Sequence, residues 1–184
     1  MVTEEYLIVV LLVIAAAYAV HRLGIGARQF MKLQGKMLVI CPETQKTAAV
    51  EVANARAALG AMVNQQHLEL NECSRWPERG DCAQNCLQQI EEDPVSHQTW
   101  NIVSRWFDGK ECVYCGKPIK ELSHFDRTPA LRHTGGNTTE WDQLPPEHLP
   151  DELSIAMPVC WSCHMIETFR RKHPDLMVER PWKH

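Results

Sequence analysis

The sequence predicts an α+β chain in which a single N-terminal transmembrane helix precedes small metal-stabilised domains. Three observations carry that prediction: an uninterrupted apolar start, eight cysteines in two groups of four, and short apolar stretches of both strand and helix periodicity. With 184 residues, 45% hydrophobic and 23% charged, the chain fits one or two small folded units better than one large core. A fibre or a disordered chain is excluded. The mean hydropathy of −0.30 averages an almost wholly apolar start with a polar remainder, which excludes a simple soluble enzyme.

The segment from Leu7 to Val20 reads LIVVLLVIAAAYAV and is apolar on every face. A helix of that kind is buried in lipid or in a protein core. The sixteen residues from Tyr6 to His21 rise about 24 Å, short of the ~30 Å hydrocarbon layer, and Arg22 snorkelling with continuation toward Ala27 closes the gap. Ala17-Tyr18-Ala19 offers the small-x-small pattern of a signal-peptide cleavage site, but Glu4 and Glu5 occupy the region such a peptide keeps positive. On the far side come Arg22, Arg28, Lys32 and Lys36, with no acid before Glu43. Lys and Arg stay cytoplasmic, so a single-pass protein is expected with its N-terminus outside and its C-terminal body in the cytoplasm. In that reducing compartment thiols become metal ligands rather than disulfides.

Residues 1–23 are therefore read as the anchor and 24–35 as a juxtamembrane linker whose Phe30, Met31 and Leu33 lie at the interface. A first four-cysteine metal-binding domain is expected over 36–107 and a second over 108–184. In the first, a strand from Lys36 to Ile40 runs into Cys41-Pro42, an alternating strand follows through Ala48, Val50 and Val52, and a third is expected at His67 to Leu70. Asp81 suits the N-cap of a helix from Cys82 to Glu92, which Asp93-Pro94 ends. The next helix, Val95 to Phe107, places Trp100, Val103, Trp106 and Phe107 on one face as core packing. After Asp108-Gly109, residues 129–143 have hairpin chemistry around Gly135-Gly136-Asn137. Pro145, Pro146 and Pro150 suggest a stiff loop, and the last helix runs from Trp161 to Lys172, stopped before Pro174.

The strongest chemical signal is the later quartet. Cys112-Val113-Tyr114-Cys115-Gly116 and Cys160-Trp161-Ser162-Cys163 are two C-x-x-C pairs, the spacing at which adjacent turns aim four thiolates at one tetrahedral Zn²⁺. The order of knuckle, hairpin and helix carrying the last two ligands resembles a treble-clef zinc finger, so 108–184 is read as a treble-clef-like zinc domain. It is also weakly similar to HNH endonucleases, whose catalytic hairpin carries an Asp-His or His-His pair. Here that hairpin reads Leu131-Arg132-His133-Thr134-Gly135, His124 stands apart, and a net charge of −4 supplies no overall attraction for phosphate. Nuclease activity thus ranks third, and nucleic acid is not an expected partner. Cys160 to His164 also matches C-x-x-C-H, the attachment pattern for c-type haem. Cytoplasmic placement opposes haem, as does the lack of a role it would leave to Cys112 and Cys115. His164 is then a residue that supports the ligands, and none of the nine histidines is itself expected to be one.

In the earlier quartet Cys41, Cys73, Cys82 and Cys86 are separated by 31, 8 and 3 residues, which fits no standard finger. A helix over 82–92 would set Cys82 and Cys86 one turn apart on one face, with Cys41 and Cys73 completing the shell. Zn²⁺ is the default metal, and an iron-sulfur cluster uses the same ligands. In Trp76-Pro77-Glu78-Arg79 the Trp is expected to cover this site, and the run Arg170, Arg171, Lys172 is expected to be a solvated face.

These readings converge on a membrane-anchored, zinc-binding structural or adaptor subunit of a larger membrane assembly, with lipid and a protein as partners. Closed thiolate shells leave no coordination position for a reacting water, and no nucleophile-base pair or phosphate loop is present, so no catalytic residue is expected. The alternative is an electron-transfer subunit carrying an iron-sulfur cluster or c-type haem.

Overall fold

In the computed structural model, the apolar start is one unbroken helix, α1 (Val2–Lys32). The structure describes residues 2–65, 67–76, 78, 81–123 and 127–176. Glu4 and Glu5 lie in the first turn of α1 and Lys32 in its last, the charge order that complements the helix dipole. The helix is long and apolar enough to cross a membrane, and no part of its apolar window is buried against protein. Two compact units follow from the chain's contacts, Met1–Gln98 and Thr99–His184, dividing before the boundary read from the sequence near residue 108.

In the first unit the helix continues through most of the segment read as a linker, and the chain reverses at Gly35 with φ 86°. Strands β1 (Met37–Ile40), β2 (Thr47–Val52) and β3 (Leu70–Cys73) form an antiparallel sheet in sequence order, with Met37 opposite Val50 and Val50 opposite Cys73. The third strand lies later than the expected His67 to Leu70. Leu68 and Leu70 are both buried, which produces the alternation, but only Leu70 of that stretch joins the ladder, opposite Val52. Leu33, expected at the membrane interface, is instead fully buried in the core with Met37, Val39, Val50 and Ile90.

Helix α2 (Asn54–Met62), between β2 and β3, has no counterpart in the sequence reading. Its buried residues are Ala57, Ala58 and Ala61, small enough for its backbone to approach α1 closely. A Cβ on Gly26 of α1 would stand 2.7 Å from Met62 Cγ and 3.3 Å from the Ala58 carbonyl oxygen. The Arg22 guanidinium donates to Asn64 Oδ1 at 2.9 Å just beyond the end of α2.

The helix expected over 82–92 begins only at Leu87. α3 (Leu87–Glu92) has Cys86 at its N-cap, and residues 82–84 before it have no regular structure. Gln84 adopts φ 55°, a left-handed conformation that cannot continue a helix, and its side-chain oxygen accepts from the Leu70 amide at 3.0 Å. Cys82 and Cys86 are therefore not one turn apart on a helix face. α4 (Pro94–His97) is capped by Asp93, which accepts from the Ser96 amide at 3.1 Å. The extended Gln98 then separates it from the next helix, so the single helix expected over 95–107 is two.

The second unit opens with α5 (Thr99–Phe107). Its apolar face packs as expected: Val103 and Phe107 are buried, and the Trp106 indole donates to the Leu153 carbonyl at 2.9 Å. The expected hairpin is present as β4 (Ala130–Arg132) and β5 (Thr138–Glu140), turning through Gly136 at φ 81°. β6 (Met157–Val159), absent from the sequence reading, pairs with the other edge of β4 and completes a sheet of order β5-β4-β6. The proline stretch read as a stiff loop is a short 3₁₀ turn (Pro146–His148) leading into α6 (Leu149–Ile155). Proline is tolerated in a first helical turn, where its missing N–H is not needed. The last helix, α7 (Trp161–Lys172), has the expected bounds.

Candidate metal centre

The second quartet meets in space. The Sγ atoms of Cys112, Cys115, Cys160 and Cys163 all lie within 4.8 Å of one another. Two elements bring them together. Between Glu111 and Pro118, bridged antiparallel, the Cys112 amide donates to the Lys117 carbonyl at 2.9 Å and the Gly116 amide to the Cys112 carbonyl at 2.9 Å. Gly116 closes this knuckle at φ 65°, where a side chain would be strained. The other pair follows β6 directly: Cys160 is the extended N-cap of α7, and Cys163 lies in the first turn. The Val113 amide donates to the Pro158 carbonyl at 2.9 Å and ties the knuckle to β6.

The arrangement fits a four-thiolate metal. A tetrahedron with metal–sulfur bonds of about 2.3 Å has sulfur–sulfur edges of about 3.8 Å, and Cys115 Sγ stands 3.8 Å from Cys160 Sγ. Burial raises the Cys112 thiol, but the amides of Cys160, Cys115 and Tyr114 together with the Cys160 thiol more than offset it and hold its pKa at about 6. Burial first, and then the neighbouring sulfurs, push Cys160 and Cys163 upward. One thiolate is thus stabilised by backbone dipoles, while Cys160 and Cys163 resist adding negative charge beside it. A bound dication relieves that resistance. Two arginines flank the cluster on the residues between the cysteines, Arg132 stacking 5.3 Å from the Tyr114 ring centre and Arg127 4.0 Å from that of Trp161. Their charge suits a site that would be −2 with four thiolates and one divalent ion.

His164 follows Cys163 and is buried. Its Nδ1 is 2.8 Å from Thr138 Oγ1 and its Nε2 3.6 Å from Glu140 Oε1, so the ring holds α7 against β5. In the same hairpin His133 Nδ1 is 2.8 Å from Glu152 Oε2 on α6. The partners Thr138, Glu140 and Glu152 carry no motif that sequence reading could have used. Along α7, Arg170, Arg171 and Lys172 are exposed, with Arg170 bonded to Glu167 and Arg171 to Asn137.

The first quartet shares one neighbourhood without reaching the same spacing among the described residues. Cys41, Cys73 and Trp76 pack against the core cluster that includes Cys86. Burial, followed by the charges of Cys73, Cys82 and Cys41, pushes the Cys86 thiol up to about 11. Trp76 packs against the same core cluster; Pro77, Arg79 and His124 lie outside the described residues.

Cys41 stands on a turn with the same backbone pattern as the Cys112 knuckle. Its amide donates to the Lys46 carbonyl at 2.9 Å, the Gln45 amide donates back to the Cys41 carbonyl at 2.8 Å, and Gln45 adopts φ 54°. Thr44 occupies the position that Cys115 holds in the second knuckle. Its side chain, with the backbone of Thr44 and Glu43, lowers the Cys41 pKa against the opposing effect of burial. The likeness was readable by aligning Cys41-Pro42-Glu43-Thr44-Gln45 with Cys112-Val113-Tyr114-Cys115-Gly116. No known protein family, no curated protein and no solved structure matches the chain.

Proposed function

We propose that this chain is a membrane-anchored structural or adaptor subunit whose body is held in shape by two thiolate metal sites, one in each unit. The observation that carries the reading is the convergence of Cys112, Cys115, Cys160 and Cys163 to within 4.8 Å. Cys41, Cys73, Cys82 and Cys86 would hold the second ion, with Thr44 supporting the Cys41 sulfur. In both sites the metal would supply folding free energy, about 10 kcal/mol or more for a structural Zn²⁺. Small units with few buried residues need such support. The second-unit module is read as treble-clef-like because its two pairs of ligands come from a knuckle and from the start of a helix, with a hairpin between.

Zn²⁺ is the metal of choice for a closed shell of four thiolates. Electron transfer through an iron-sulfur cluster uses the same donors, and a visible spectrum of the purified chain separates the two. A colourless protein is expected; absorption near about 400 nm, or a Soret band, would establish the redox reading instead. The engagement of Cys160 and Cys163 with Cys112 and Cys115, and of both His164 ring nitrogens with β5, argues against haem. For nuclease action, His133 lacks the paired Asp or His and stands against Glu152. The charge asymmetry around α1 supports a cytoplasmic body. A reporter fused after His184 should therefore be active there, and activity only outside would reverse the orientation and restore disulfides as an option.

A further inference from the structure

α2 has a second apolar face that the fold does not use. Ala57, Ala58 and Ala61 are buried, whereas Leu59 and Val63, one turn apart, are 66% and 63% exposed. They border an open cleft of about 450 Å³ lined also by Arg56, Gly60, Met62 and His67. Solvent is an unfavourable neighbour for such a face, and its position relative to α1 indicates what covers it.

Because α1 is continuous, axial rise measures height above the membrane. Val20 ends the apolar run, Arg22 is about 3 Å farther along the axis and Gly26 about 9 Å, and any continuation of the span toward Ala27 sets both deeper. The layer of headgroups outside the hydrocarbon is about 5–8 Å thick on each side. Asn64, next to Val63, bonds to Arg22, while Met62 and Ala58 close against Gly26. The C-terminal end of α2 therefore points back toward the bilayer and reaches the headgroup layer. Leu59 lies one turn farther out. Arg22 on α1 supplies a cationic group at the level of that layer, suited to lipid phosphate.

We infer that α2 forms a second membrane contact, with Val63 seated among the lipid headgroups beside the span and Leu59 at their outer edge. The inference rests on α1 crossing the membrane. The contact would hold the first unit against the bilayer instead of leaving it to swing on its anchor.

Photocrosslinking tests this in the full chain, reconstituted alone in vesicles of phosphatidylcholine and phosphatidylglycerol, with a benzophenone amino acid replacing Val13, Val63 or Val95 in turn. Val95 is the comparison site: it is exposed on α4, next to Gln98, which bonds to the Lys32 carbonyl about 18 Å beyond Val20. Lipid adducts are expected at Val13 and Val63, severalfold above Val95. Adducts at Val13 but not at Val63, a chain-to-chain crosslink at Val63, or equal yields at Val63 and Val95 would overturn the contact and leave the span standing. No lipid adduct at Val13 would overturn the span, and the contact with it.

Discussion

Cys41 and Cys112 sit in turns of the same backbone pattern, and in both the surroundings lower the thiol pKa. Hydrogen-bond donors aimed at a sulfur, the Thr44 side chain first at Cys41 and backbone amides at Cys112, favour the thiolate whether or not a metal is present, while Cys86 in the first unit and Cys160 and Cys163 in the second resist charging. The consequence is a specific pH dependence. Protons compete with metal for each ligand, so affinity falls as pH falls. Cys160 and Cys163, whose pKa values are raised, contribute to that fall at neutral pH. Cys112 is already a thiolate there and joins the competition only as pH drops through about 6. Competition titrations against a chelator should show the affinity of the second site falling more steeply with acid below about pH 6 than above it, and Cys112→Ser should lose that extra steepness. An unchanged slope through pH 6 would mean that the amides do not hold the Cys112 thiolate.

At the level of elements, sequence periodicity located what repeats and lost what depends on single backbone conformations. The all-round apolar run, the Trp100 to Phe107 stripe, the Gly136 hairpin and α7 were legible because each has a period or a punctuating residue. The helix over Cys82 to Cys86 was misplaced because a left-handed Gln84 is invisible to periodicity. α2 and β6 were missed for different reasons. α2 buries only alanines, which give little hydrophobic contrast, and β6 is three residues long with a proline inside. For the site, the C-x-x-C pairs announced the second quartet, whereas Thr44 could be placed only once the two knuckles were compared.

The packing of α2 on α1 makes a prediction of its own. Met62 is flexible and can yield to one added methyl, so Gly26→Ala should be tolerated, with the gain in helix propensity opposing the crowding. Gly26→Leu must displace α2 itself and should cost about 1–3 kcal/mol, read as a lower melting temperature of the first unit in detergent. Equal stability of the two variants would show that the helices do not meet at Gly26.

For the whole molecule, a long apolar helix followed by two small units, each with four cysteines, suits a scaffold held at a membrane. The first unit builds its core between a sheet, α2 and the end of α1, so it is continuous with that helix. The second surrounds its four sulfurs with a knuckle, a three-stranded sheet and α7. Both are small enough for metal binding to decide whether they fold. The most direct test is bound metal per chain, measured by native mass spectrometry on the full-length protein and on single substitutions. Two Zn²⁺ are expected in the native chain, one each in Cys163→Ser and Cys86→Ser, and none in the double variant. A native chain with one ion, unchanged by Cys86→Ser and lost in Cys163→Ser, would contradict a metal site in each unit.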